Sequence, residues 1–173
     1  SFSGTIVFQS DRSGNWDIFR VAADGSSLVR LTSHKSADLN PAWAPDGNLI
    51  AFSSERTGAG DIYVMSPDGN NIRRITDDPS YEGAPRFTPD GKALIFEGER
   101  DGRAEVYSVE LASREVVRVA NSIQRKLGPV SSPDGKRIAF MEKSLIRWHI
   151  SVRSLETGEK RAVTRGGGAC RPD

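Results

Sequence analysis

Cysteine is almost missing from this chain. Cys170 is the only one in 173 residues, which excludes an internal disulfide and a cysteine-built zinc site. Histidine is nearly as scarce: His34 and His149 are the whole supply and share no ligand spacing. A metal centre needs three or four converging donors, so no metal is expected. No apolar run approaches the roughly 18 residues of a transmembrane helix, and no membrane insertion is expected. Neither charge sign dominates, with 24 Lys and Arg against 23 Asp and Glu, and the generic case for a nucleic-acid partner goes with it. There is no Gly-x-Ser-x-Gly segment, hence no nucleophile elbow. The run Gly166-Gly167-Gly168 is followed by no Lys-Ser or Lys-Thr pair, so it is no phosphate loop. Nothing assembles a nucleophile, a base and an oxyanion hole. Neither catalysis nor a cofactor is expected.

What is present is a repeat. Pro-Asp-Gly recurs with a step of 44 residues at 45–47, 89–91 and 133–135. The same step carries Pro41 to Pro85 and Pro129, and Phe8 to Phe52, Phe96 and Phe140. It also carries Ile18 to Ile62, Val106 and Ile150, and Leu31 to Ile75, Val119 and Val163. A fixed period of this length marks a repeat architecture. The repeat units run about 1–40, 41–84, 85–128 and 129–171, and together they are expected to form one domain spanning residues 1–173.

Within one unit, four short apolar runs lie around Trp43, Leu49–Ser53, Ile62–Met65 and Ile72–Ile75. Turn chemistry separates them: Pro45-Asp46-Gly47, then Arg56-Thr57-Gly58, then Pro67-Asp68-Gly69. Runs this short between tight reversals read as antiparallel strands. The stretch from Arg103 to Leu127 has no Gly or Pro and could be read as helix. Its apolar residues keep the strand positions of the other copies, and that register outweighs local propensity. The expected fold class is therefore all-β, a β-propeller of four-stranded antiparallel blades.

The segment from Pro41 to Met65, P-x-W-x-P-D-G-x-x-I-A-F-x-S-x-R-x-G-x-x-D-I-Y-V-M, resembles the TolB-type, WD-like propeller repeat. The fourth copy departs most, with Ser131, Ser144 and Ser151 where that pattern has Trp, Arg and Tyr. The resemblance implies a non-enzymatic scaffold that binds a protein or peptide partner at the loops of the channel mouth. It further implies a periplasmic or secreted setting in a bacterial envelope, and a partner such as a peptidoglycan-associated lipoprotein. The alternative is the gating propeller of a prolyl-oligopeptidase-like protease whose catalytic domain lies outside this chain. The family typically builds six blades, so the four copies read as a piece of a larger propeller. A four-bladed ring, or self-association that completes a ring, are the other arrangements. The chain opens Ser1-Phe2-Ser3-Gly4 without Met, and the sequence is silent on export.

Two charged columns stand out. Asp17, Asp61 and Glu105 share one repeat position, and Arg12, Arg56 and Arg100 share another. Both change together in the fourth copy, to His149 and Ser144. Joint change predicts ion pairs Arg12–Asp17, Arg56–Asp61 and Arg100–Glu105. The interblade loops, Ser33–Asn40, Asp77–Ala84, Asn121–Gly128 and Arg165–Arg171, vary between copies while the strands hold register, the pattern of a binding face on a rigid scaffold. The candidate partner-binding residues on them are His34, Asp38, Asn40, Asp78, Tyr81, Glu82, Arg125, Lys126 and Arg171. On that reading Tyr81 and Glu82 form an aromatic-acidic rim segment, and Arg125 with Lys126 a basic one whose reversal leaves stability nearly unchanged.

Overall fold

The computed structural model describes residues 4–100, 102–119, 125–144 and 147–164. Fifteen strands follow one another with no helix among the described residues. The first sheet is β1 (Thr5–Ser10), β2 (Asp17–Ala22) and β3 (Val29–Arg30), in that order. The second is β4 (Asp38–Trp43), β5 (Ile50–Ser54), β6 (Asp61–Met65) and β7 (Arg73–Arg74). The third holds β8 (Glu82–Phe87), β9 (Ala93–Gly98), β10 (Glu105–Glu110) and β11 (Val116–Arg118). The fourth holds β12 (Lys126–Ser131), β13 (Arg137–Ser144), β14 (Arg147–Ser154) and β15 (Lys160–Ala162). Each sheet is one repeat, and neighbouring strands run antiparallel in sequence order. The chain forms two compact units, residues 1–85 and 86–173, which divide at a repeat boundary. The described residues between Arg103 and Leu127 are strand and turn, as the register requires.

The turns obey their chemistry. Gly47, Gly91 and Gly135 take φ of 73°, 70° and 70°, and their amides bond back to the carbonyls of Ala44, Thr88 and Ser132. The preceding aspartates accept the amides of Asn48, Lys92 and Lys136 at 3.0, 3.1 and 3.0 Å. The equivalent Asp68 accepts from the Ser66 hydroxyl and the Asn70 amide, which hold its carboxyl down to about 2. Proline has its own place: Asn40, Ala84 and Gly128 take positive φ immediately before Pro41, Pro85 and Pro129. The ladder slips there, between Leu39 and Ala42 and between Leu127 and Val130. A residue without an N–H is tolerated at a bulge and not in an unbroken ladder. The proline column is thus a bulge column, and bulges re-aim the strand that carries them.

Both faces of these strands are covered. Ile62 and Tyr63 are adjacent and both buried, as are Val106 and Tyr107. In the first unit Ile18, Leu31, Ile50, Phe52, Tyr63 and Met65 form one cluster that Trp43 packs against. In the second, Ile95, Val106, Ile138 and Phe140 form another. Trp43 and Met65 are thus core residues. A fourth-strand threonine closes the blades: Thr32, Thr76 and Thr164 hydroxyls accept the amides of Ile18, Ile62 and Ile150 at 2.9, 3.0 and 2.8 Å.

Two turn glycines separate strain from crowding. Gly47 has open space where a Cβ would stand, whereas at Gly69 a Cβ would lie 2.7 Å from the Leu31 carbonyl oxygen. Gly47→Ala should cost about 1–2 kcal/mol, the penalty of left-handed backbone alone. Gly69→Ala adds a backbone clash and should cost roughly 1–3 kcal/mol more. Paired urea melts check the difference; equal losses would contradict the close packing of Gly69 on Leu31.

Candidate functional site

The turns between second and third strands and the connections entering each first strand lie side by side. Carbonyls of Trp16, Gly60 and Ala104, each just before a third strand, accept the amides of Asp38, Glu82 and Lys126 at 2.9, 3.0 and 2.8 Å. Those three residues occupy one repeat position and each opens a first strand. They were expected in loops, and that expectation needs correction: the strands begin three residues earlier than the apolar run suggests. Asp38, Glu82 and Lys126 are all 0% exposed. Their side chains work inside the protein and are withdrawn from the rim.

The expected Arg–acid pairs also need correction. Asp17 bonds Arg30 at 2.6 Å, Asp61 bonds Arg74 at 2.9 Å, and Glu105 bonds Lys126 at 2.7 Å. The acids open β2, β6 and β10, and their hairpin partners β3 and β7 carry Arg30 and Arg74. The opposite strand supplies the cation where the tight turn was expected to. Hydroxyls of Ser13 and Thr57 in those turns bond the same carboxylates of Asp17 and Asp61. The other arginine column lies over an aromatic pair contributed by the second and third strands. Arg56 sits over Phe52 and Tyr63 at 5.5 and 4.8 Å, donates to Ser54 Oγ at 2.8 Å, and reaches Asp38 at 2.8 Å. Arg12 sits over Phe8 and Phe19, and Arg100 over Tyr107.

The fourth blade has a different interior. Ser151 faces Phe140 where the other copies have an aromatic residue. Glu142 is buried and bonded by the Lys160 ammonium at 2.7 Å and the Ser151 hydroxyl at 2.9 Å, with His149 Nε2 at 3.6 Å. Across the ladder from Glu142 stands Lys126. Burial and the nearby Glu142 carboxylate push the Glu105 carboxyl up, against the pull of Lys126.

Of the remaining candidates, His34 is half-buried, and its Nδ1 accepts the Ser36 amide at 3.1 Å. Asn40 donates its amide to Gln9 at 2.6 Å. Asp78 is half-buried and accepts from the Ser80 amide and hydroxyl. Tyr81 is 39% exposed and lies across Gly60 and Gly83, where a Cβ would meet its ring. Arg125 is exposed and meets Glu99 at 3.3 Å. Arg171 lies outside the described residues. On the first unit the loop face holds a depression of about 570 Å³ lined by Thr57, Gly58, Ala59, Asp61, Arg74, Asp77, Asp78 and Pro79. Trp16, 42% exposed, adds an aromatic surface that went unnoticed in the sequence, since its repeat column holds Gly60 and Ala104 in the middle copies and returns to tryptophan only at Trp148. On the first unit the face thus combines the exposed rings of Trp16 and Tyr81 with both signs of charge, from Arg74 and Asp77. Among the described residues no group of three or more His, Cys, Asp or Glu is placed to hold a metal.

Blades of this construction, with an irregular polar face at one end of the strands, define an all-β propeller. The family described as the TolB beta propeller domain matches residues 32–172, and the chain belongs to it. It is similar to a TolB homolog of Chlorobium luteolum, 48% identical over 50 residues, which are 29% of this chain and 12% of that protein. It is also similar to the Tol-Pal system protein TolB of Geobacter sulfurreducens, 44% identical over 46 residues, 27% of this chain and 11% of that one. Among solved structures, TolB from Acinetobacter baumannii superposes with a TM-score of 0.85 at 26% identity, covering 92% of this chain and 40% of TolB. Puromycin hydrolase superposes at 0.71 with 16% identity, covering 87% and 26%, a likeness of fold alone. The chain spans about an eighth of the length of the first curated relatives it matches.

Proposed function

We propose that this domain is a non-enzymatic interaction scaffold of the bacterial envelope, working in the periplasm as a Tol-Pal type component and binding a protein partner through its loop face. One observation carries the reading. The Asp38 and Lys126 charges at first-strand starts are paired internally with Arg56 and Glu105, so what the first unit offers a partner is Tyr81, Trp16 and the depression bordered by Asp77 and Asp78, while the second unit offers Arg125. Rigid aromatic anchors beside solvated charges of both signs suit recognition of a folded or extended polypeptide. The partner chemistry fits a peptidoglycan-associated lipoprotein, the type of partner that membership in this family suggests.

Binding of the purified chain to such a lipoprotein, followed by biolayer interferometry, tests the reading. Tyr81→Ala should weaken binding by about tenfold to a hundredfold if Tyr81 is an anchor. Arg125→Glu should chiefly slow association, with the effect shrinking as salt is raised. Unchanged kinetics in both variants, at unchanged melting temperature, would move the binding surface off this face.

A further inference from the structure

The turns that join second to third strands change sign in the fourth blade. One repeat position reads Asp11, Glu55, Glu99 and then Lys143, and another reads Asn15, Ala59, Arg103 and then Arg147. The backbone changes with them. In the first three blades the ladder between these strands opens at Ser10–Asp17, Ser54–Asp61 and Gly98–Glu105. In the fourth it runs two rows further, through Lys143–Trp148 and Ser144–Arg147. Ser144 stands in the arginine column, so no guanidinium folds back over the rings there and the strands stay paired towards the tip.

Main-chain bonds set further cations beside this tip, all within the second unit. The Lys143 amide bonds the Arg125 carbonyl at 3.0 Å, and the Lys126 amide bonds the Ala104 carbonyl at 2.8 Å, next to Arg103. Arg103, Arg125, Lys143 and Arg147 are all exposed. Arg125 gives one nitrogen to Glu99 at 3.3 Å, and among the described residues no carboxylate pairs with the other three. Glu105 is buried on Lys126, so the acids left to oppose these four cations in the two turns are Glu99 and, outside the described residues, Asp101. Exposure is a property of the turn itself. Glu55 and Ala59, the same positions in the second blade, are exposed although the start of β8 is seated beside them through the bond from Glu82 to Gly60.

We propose that Arg103, Arg125, Lys143 and Arg147 form a docking surface for an acidic segment of the protein partner. This rests on the loop-face reading above and names what the second unit contributes to it. Three guanidinium groups can each take a carboxylate through paired hydrogen bonds, and Arg125 already meets one. Lys143 and Arg147 sit on paired backbone, so little order is lost when a carboxylate arrives. A chain with 24 basic and 23 acidic side chains lacks the broad positive field that a nucleic acid would need.

The probe is a fluorescein-labelled decapeptide of alternating Glu and Ser, with its Gln counterpart as control, read by fluorescence anisotropy on the full chain at low salt. Saturable binding of the Glu peptide alone is expected, weakened roughly tenfold by the double substitution Lys143→Glu with Arg147→Ala. That variant gives the fourth blade the residue types of Glu55 and Ala59, which the second blade already accommodates, and its melting temperature verifies folding. Lys136→Glu, in the Pro-Asp-Gly turn at the other end of the strands, should leave peptide binding unchanged. No binding, equal binding of the Gln peptide, or an equal loss from Lys136→Glu would each overturn the proposal, as would capture by phosphatidylglycerol vesicles without capture of the peptide. The lipoprotein is then run against the same variants. Binding that Tyr81→Ala weakens and the double variant leaves unchanged would overturn this surface and keep the loop-face reading. The expected peptide result without any lipoprotein binding would keep this surface and overturn the lipoprotein assignment.

Discussion

Arg56→Ala is expected to remove about 3–5 kcal/mol of stability, the cost of leaving a buried carboxylate without its cation. Asp38 is fully buried and Arg56 is 17% exposed in its side chain, so solvent does little to compensate the orphaned charge. At about 2–4 °C per kcal/mol for a chain of this size, melting should fall by roughly 6–20 °C. Part of the loss comes from packing, since the guanidinium covers the stacked Phe52–Tyr63 pair, whose centroids lie 5.7 Å apart. Arg56→Lys should recover little, because an ammonium cannot lie flat on the rings and reach the carboxylate together. Arg12→Ala is the internal control: it removes the same stacking with no buried acid beneath it among the described residues, and should cost about 0.5–1 kcal/mol. If Arg56→Ala and Arg12→Ala melt alike, Asp38 is not held by Arg56 and the account of this column fails.

The blades were legible because a 44-residue step aligns turn, core and bulge residues at once. Pro45-Asp46-Gly47 makes its turn by rules that act within a few residues, and Phe52, Phe96 and Phe140 are buried by patterning alone. The ion pairs were not legible, for a physical reason. Three columns change in the fourth copy: Arg56 becomes Ser144, Asp61 becomes His149, and Arg74 becomes Ala162. With three changing together, one chain cannot say which two touch. Strand pairing decides it, since the fourth strand runs beside the acid and the turn arginine folds back over the rings. Lys126 was obscured by sign. Its column reads Asp38, Glu82, Lys126, and an inversion of charge hides a shared buried position. Each bulge also breaks the alternation that would have placed the strand start earlier.

Reversing that inverted position should have a large effect in the second unit. Lys126→Glu would set a third carboxylate beside Glu105, which Lys126 now bonds at 2.7 Å, and Glu142, which faces it across the ladder. Removing one partner of a buried pair costs about 3–5 kcal/mol, and reversal adds repulsion to that loss, so the variant should fail to fold at neutral pH. Arg125→Glu next to it should cost about 0–1 kcal/mol, because its pair with Glu99 is solvated. Lys126→Met gives a version that can be measured. Burial already raises the Glu105 carboxyl above an ordinary glutamate, so the folded state binds this proton more tightly than the unfolded state. The contribution of Glu105 to stability therefore grows as pH falls through its folded value towards the ordinary one, and is lost as pH rises. Lys126→Met removes the group that opposes this shift, so its deficit relative to the parent should be largest at pH 7 and shrink towards pH 5. Adding Glu105→Gln should flatten the profile and restore most of the stability, since a buried pair can be replaced whole where it cannot be halved. Thermal melts of parent, single and double variants across that range decide the matter. A Lys126→Met variant as stable as the parent at pH 7 would mean that the Glu105–Lys126 contact carries no weight in this junction.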